Sequence, residues 1–199
     1  MNIIILVEGQ TEQAFKKCLE NFLRTRLPHK MPKLHFRRYD GRIPKEDKLK
    51  RVVENSLRKY DAVIALTDVY TGIGDFTDAH DAKTKMQQWV GRHSNFYPHV
   101  ALHDFEAWLI PYWDDIQRLA GHNKRKPGDK PEGIDHLKPP SHHIKEIFEQ
   151  GTCRDSYRKP RDGMRILRDK DLLISANACP ELKVFLNTIL QISGGELIP

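Results

Sequence analysis

Acidic residues stand directly behind three separate apolar runs of this sequence, and that placement is where chemistry is to be sought. Glu8 follows residues 2–7, Asp68 follows residues 62–66 after a single threonine, and His103, Asp104 and Glu106 follow residues 99–102. If the runs are strands of one sheet, these chain-distant acids gather at a single edge, where open α/β sheets bind their ligands. Hard divalent cations such as magnesium or manganese take carboxylate oxygens, waters and phosphate oxygens as ligands, so the constellation points to metal-assisted chemistry on phosphates. In that reading Asp68 and Glu106 hold the cation, and Glu8 joins them or serves as general acid or base. Each acid also has a plainer role open to it. Glu8 and Glu12 suit a helix N-terminus through the dipole, Asp68 suits a turn, Asp104 a helix cap, Glu106 a first helical turn, and His103 a hydrogen-bonded structural group.

Basic residues are spaced to serve the same edge. Lys159, Arg161 and Arg165 surround Asp162-Gly163, while Arg37, Arg38 and Arg42 follow the second strand. Guanidinium forks match phosphate geometry, which makes Arg161 and Arg165, with Lys159, Tyr70 and His103, candidate substrate ligands. Lys45, Lys48, Lys50, Arg51, Arg58, Lys59 and the residues from Asn123 to Lys130 read as solvated surface charge. Trp108, Tyr112 and Trp113 fall at helical spacing and read as core or subunit contact more readily than as base-stacking groups.

The elements that must position these groups follow from periodicity. Residues 2–7 are near-continuous branched apolar, the pattern of a strand covered on both faces, and Thr11 caps a helix carrying Phe15, Cys18, Leu19, Phe22 and Leu23. A second strand over 33–39 alternates, a helix over 45–59 follows, and 62–66 is again a buried strand. A third helix over 78–92 and a fourth strand over 99–102 complete an alternation that requires a mostly parallel sheet flanked by helices, because parallel strands need crossover connections. Residues 103–119 read as one aromatic-rich helix. The domain plan is thus an α/β layer over 1–120, a polar loop over 121–140, and a helical extension over 141–199 packing on the same layer, with pieces at 141–150, 161–168 and 180–189.

Composition bounds the rest. With 199 residues, 39% hydrophobic and 30% charged, the chain can build one generous core, and no run reaches the length of a membrane span. Three cysteines, Cys18, Cys153 and Cys179, lack metal-type spacing and fit a reducing cytoplasm as ordinary thiols. Residues 1–7 lack the basic segment and cleavage site of a signal peptide. A formal net charge of +6 is compatible with a polyanionic partner.

Leu6-Val7-Glu8-Gly9-Gln10-Thr11-Glu12, ahead of a helix, resembles the first motif of Toprim-type catalytic domains, in which a glutamate closes the first strand. Asp68-Val69-Tyr70 with its glycine-containing loop, His103-Asp104-Phe105-Glu106-Ala107 and Tyr157-Arg158-Lys159-Pro160-Arg161-Asp162-Gly163 resemble, in that order, the family catalogued as domain of unknown function 4276. The resemblance implies a Toprim-like or Rossmann-like fold, a bacterial origin, and a magnesium-dependent nuclease or phosphodiesterase activity in phage defence. One departure stands out. Toprim domains carry an Asp-x-Asp pair after the third strand, and here Tyr70 replaces the second aspartate. A phenol removes a negative charge and a hard-oxygen ligand. Either Glu106, Asp104 or Asp75 compensates, Glu106 first among them, with Tyr70 orienting a phosphate, or the fold keeps a binding site without the chemistry. The second outcome is a catalytically silent nucleic-acid or nucleotide-binding module. A third reading, drawn from the lack of a P-loop pattern, is an accessory partner of a larger ATPase, and a homodimer is a further expectation.

Overall fold

In a computed structural model, the described residues are 1–9, 11–27, 30–39, 41–70, 74, 76–153 and 156–199, with only the backbone described at 12–14. Four strands, β1 (Asn2–Val7), β2 (Lys33–Arg38), β3 (Ala62–Val69) and β4 (Phe96–Leu102), form one wholly parallel sheet in the order β2-β1-β3-β4. The expected mostly parallel four-stranded sheet is therefore observed. Its order carries a consequence for function: the chain winds outward from β1 to β2, then returns past β1 to β3. The β1/β3 pair is the point where the winding reverses, and crossovers diverging there leave a crevice beyond the carboxyl ends of the strands.

The sheet is covered on both faces, as the unbroken Ile3-Ile4-Ile5-Leu6-Val7 run requires. Ile3, Ile5 and Val7 join a core with α1 (Thr11–Arg24) and the C-terminal helices. Ile4 and Leu6 point the other way, against α2 (Glu46–Leu57) and α3 (Ala79–Val90). The first core is the larger. It contains Phe15, Trp108 and Phe185, mutually packed with ring centroids 5.8–6.3 Å apart, and each fully buried ring of this kind contributes on the order of 2 kcal/mol.

The helix expected over 103–119 is not continuous. Phe105–Trp108 and Ile110–Tyr112 are 3-10 turns, and only Trp113–Ala120 is α-helical (α4). Pro111 explains the break, since it has no N–H to donate and its ring clashes with the preceding turn. The strand edges also move: β3 runs on to Val69, so Asp68 lies within the strand, and β4 starts at Phe96 with Pro98 inside it. β4 borders the sheet, where a missing N–H on the open side is tolerated. Beyond α4, the polar segment holds a 3-10 turn at Pro131–Gly133, and its Lys124 carbonyl accepts hydrogen bonds from Trp113 Nε1 at 2.7 Å and Gln117 Nε2 at 2.9 Å. The C-terminal helices are α5 (Pro140–Gln150), α6 (Lys159–Ile166), α7 (Leu172–Ala178) and α8 (Pro180–Ile192). Short α7, with Asp171 Oδ1 capping Leu173 N at 3.0 Å, had no periodic stripe long enough to announce it.

Candidate active site

The crevice at the β1/β3 reversal is lined by acids from three strand ends. Glu8 follows β1 directly, Asp68 is the penultimate residue of β3, and Glu106 sits in the 3-10 turn after β4. All three border one cleft of about 350 Å³, together with Gly9, Thr11 and Lys159. The turn that delivers Glu106 is entered through His103, whose φ of 65° reverses the chain and lets its N–H donate to Val69 O at 2.8 Å. A non-glycine residue in that left-handed region is costly, and the β4-to-turn corner is where the cost is met. The Thr67 hydroxyl donates to Glu8 Oε1, tying the first acid to the strand that bears the second.

Glu106 is almost wholly buried, at 1% exposure, and lies next to the equally buried Asp104. Lys159 Nζ donates to Glu106 Oε2 at 3.1 Å, and the Tyr157 hydroxyl donates to Oε1 at 3.3 Å. Burial, then the Asp104 charge, raise the Glu106 pKa to about 6 against the pull of Lys159. Asp104 is raised too, by burial, although the Ser141 N–H donates to its Oδ2 at 3.2 Å. Its Oδ1 has no hydrogen-bond partner among the described residues. For Lys159, burial works against the charge, but the Glu106 and Asp104 carboxylates outweigh it and raise the pKa. One ammonium thus serves two buried acids while its half-exposed side chain reaches the cleft.

Arg161 and Arg165 are engaged differently. Asp162, fully buried, accepts from Arg161 Nε at 2.9 Å, Arg161 Nη2 at 3.0 Å, Arg165 Nη1 at 3.3 Å and the Arg158 N–H at 2.8 Å. Burial would raise its pKa, but these donors prevail and hold it below the usual carboxylate range. The candidate phosphate ligands at 161 and 165 therefore converge on an internal acid, which fixes the first turn of α6 and so the root of Lys159. Gly163 completes the arrangement. A Cβ there would lie 3.0 Å from Thr11 Cγ2, a tight contact that the bare Cα avoids as α6 settles on α1.

Tyr70 follows β3 on the other flank of Asp68, bordering a smaller pocket with Arg42, Lys45 and Trp89. Burial, followed by the charges of Asp104, Asp68, Glu106 and Glu8, pushes its pKa far up, so the phenol stays neutral and able to donate. His103 is buried, with its ring centroid 6.5 Å from that of Tyr70 and its Nδ1 without a hydrogen-bond partner among the described residues. Burial and the neighbouring His136 lower its pKa. Asp75, an alternative ligand by sequence, and Gly72 fall outside the described residues. Sequence reasoning missed the roles of Tyr157, Asp162 and Thr67, although Tyr157 and Asp162 lie in the same short motif as Lys159 and Thr67 immediately precedes Asp68.

Carboxylate oxygens are the donors a hard cation prefers. Among the described residues, however, no group of three acids, histidines or cysteines is gathered closely enough to hold an ion by itself. The two acids at the strand reversal, Glu8 and Asp68, fit the smaller requirement of magnesium, which commonly takes one or two carboxylates and completes its shell with waters and substrate phosphates.

Among solved structures, the chain is similar to the C-terminal region of the Burkholderia pseudomallei OLD protein, at 11% identity and a TM-score of 0.53, covering 96% of this chain and 98% of that one. It is likewise similar to the C-terminal region of the Xanthomonas campestris pv. campestris OLD protein, at 14% identity and a TM-score of 0.51, with 96% of each chain covered. At such identities the likeness shows the fold, which is Toprim-like. No curated protein matches the chain. No described helix is long and apolar enough to cross a membrane. The sequence matches the family described as domain of unknown function DUF4276 over residues 7–190, nearly its whole length, and the chain belongs to that family.

Proposed function

We propose that the protein is a magnesium- or manganese-dependent phosphodiesterase acting on nucleic acid. The observation that carries this reading is the convergence of Glu8, Asp68 and Glu106 with Lys159 on one cleft at the winding reversal of a parallel sheet. Glu8 and Asp68 would hold the cation. Bound there, the ion would neutralise phosphate charge and lower the pKa of a coordinated water. Lys159, its ammonium fixed by Glu106, would offer a second positive charge to the phosphodiester, and Glu106 would act through Lys159, joining the metal ligands only if that ion pair opens. Tyr70 and His103 stand one layer behind, with Tyr70 able to donate to a phosphate oxygen beside Asp68. Arg161 and Arg165 would act on the substrate through the geometry they impose on α6. The likeness to C-terminal regions of other proteins supports an activity exercised beside further machinery, such as a partner ATPase, and a place in phage defence accords with that arrangement.

Calorimetric titration of magnesium and manganese tests the site directly. Wild type should bind either ion and Asp68→Ala should not, and Glu8→Gln should abolish metal-dependent cleavage of DNA or RNA. The grip of Lys159 on Glu106 favours a second reading, a silent nucleic-acid-binding module. Salt-dependent binding without metal uptake or turnover would establish that reading and refute the first.

A further inference from the structure

We propose that the groove wrapped around the outer edge of β2 is a second binding site, which holds the backbone of a single-stranded nucleic acid running to or from the cleft. The strand's destination rests on the phosphodiesterase reading, whereas the groove's capacity to bind does not.

Among the described residues β2 pairs only with β1, which leaves its outer side as an open sheet edge. Around that edge lies a concavity of about 550 Å³. Lys16 from α1, Arg37 from β2 and Lys59 from just beyond α2 all face it, so three chain segments contribute a cation each. None of its described lining residues is acidic, although Lys16 also reaches Glu20 along its own helix at 3.8 Å. Two flat rings, His35 and Tyr60, line the same concavity, with centroids 5.1 Å apart. Cations interleaved with aromatic faces are what a single strand needs, since its phosphates seek positive charge and its unpaired bases seek a surface to stack on. A duplex hides those faces. Cationic side chains also discourage the other obvious occupant, a second copy pairing edge to edge, because Lys33, Arg37 and Arg38 would then be brought against their own counterparts.

The groove leads to the site. Arg37 and Arg38 are in register with Leu6 and Val7, the last residues of the strand that leads into Glu8. Tyr39 N then donates to Val7 O at 2.9 Å and Gly41 N to Glu8 O at 3.4 Å, and Gly41 borders the cleft. From Arg37 to the level of Glu8 is two strand residues, about 7 Å. A backbone held at Arg37 is therefore brought close to the level of Glu8.

Fluorescence anisotropy of a labelled oligothymidine, in EDTA so that neither metal nor turnover contributes, tests the groove. Reversing two charges, with Arg37→Glu and Lys59→Glu together, should weaken binding about tenfold or more and reduce the slope of log affinity against log salt by about 1.4, roughly 0.7 for each phosphate contact. Tyr60→Ala should weaken binding about fivefold or more and Tyr60→Phe should restore it, because the ring and not its hydroxyl supplies the stacking. The proposal is overturned if the double variant binds like wild type, if Lys130→Glu with Lys145→Glu weakens binding as much, or if a duplex competes as well as the single strand. Metal-dependent cleavage is scored separately. Groove variants that lose affinity in a protein that cleaves nothing would sink the phosphodiesterase reading alone, and cleavage by a protein whose groove variants bind normally would sink the groove alone.

Discussion

Glu106 and Asp162 are both buried carboxylates facing basic residues from the same short helix, yet their ionisation is driven in opposite directions. Glu106 shares one lysine with Asp104 and is raised to about 6, whereas Asp162 takes two arginines and a backbone N–H to itself and is lowered. Burial penalises both charges, more heavily at Glu106, and the number of donors and the company of a second acid widen the difference. A buried acid saturated with donors is a fastener. One left short of them keeps a share of its charge available, through Lys159, to whatever enters the cleft.

Removing the fastener should have the largest effect. Asp162→Ala leaves the Arg158 N–H and two guanidinium groups without their acceptor and should cost about 3 kcal/mol, read as a lower urea midpoint. Lys159→Met should matter next, by breaking the asymmetry at its source: with no cation near, the Glu106 titration should move to higher pH, visible in the pH dependence of unfolding. In wild type the unfolded chain releases the Glu106 proton near 4.5 and the folded chain near about 6. The native state therefore holds the extra proton between those values, and this group's contribution to stability falls by up to about 2 kcal/mol as pH rises through that window. Glu106→Gln should remove that decline. Asp162 behaves in reverse, contributing stability above its ordinary value of 3.8 that is lost as pH falls through its lower folded value. If Asp162→Asn and Glu106→Gln alter the pH profile in the same direction, the contrast is wrong. Arg165→Ala, which removes one half-exposed donor at 3.3 Å, should cost about 1 kcal/mol or less by the same measurement.

Much of this architecture was legible in the chain. The apolar run at 2–7 gave β1 with the bounds observed, and strand-helix alternation predicted the parallel sheet, because both patterns report burial directly. The acids at 8, 68 and 106 and the lysine at 159 were each singled out, and they share a cleft. What stayed hidden depended on partners far along the chain. Nothing local distinguishes Arg161 and Arg165 from phosphate ligands until the i+1 and i−3 geometry of α6 turns both onto Asp162. The break at 103–119 was written in Pro111, but the aromatic spacing around it imitated a continuous helix. Asp104 read as a cap, although its carboxylate accepts from Ser141, 37 residues away.

The bare Cα of Gly163 sets more than a packing distance. Its neighbour four positions back along α6 is Lys159, so the separation between that ammonium and the strand-end acids depends on how far α6 sinks toward Thr11. A single methyl at 163 would require Thr11 or the helix to give by a few tenths of an ångström, and any part taken up by the helix would carry the lysine with it. The site's tolerance is therefore measured at a position that touches none of its chemistry, and Gly163 acts as the shim that sets the width of the gap.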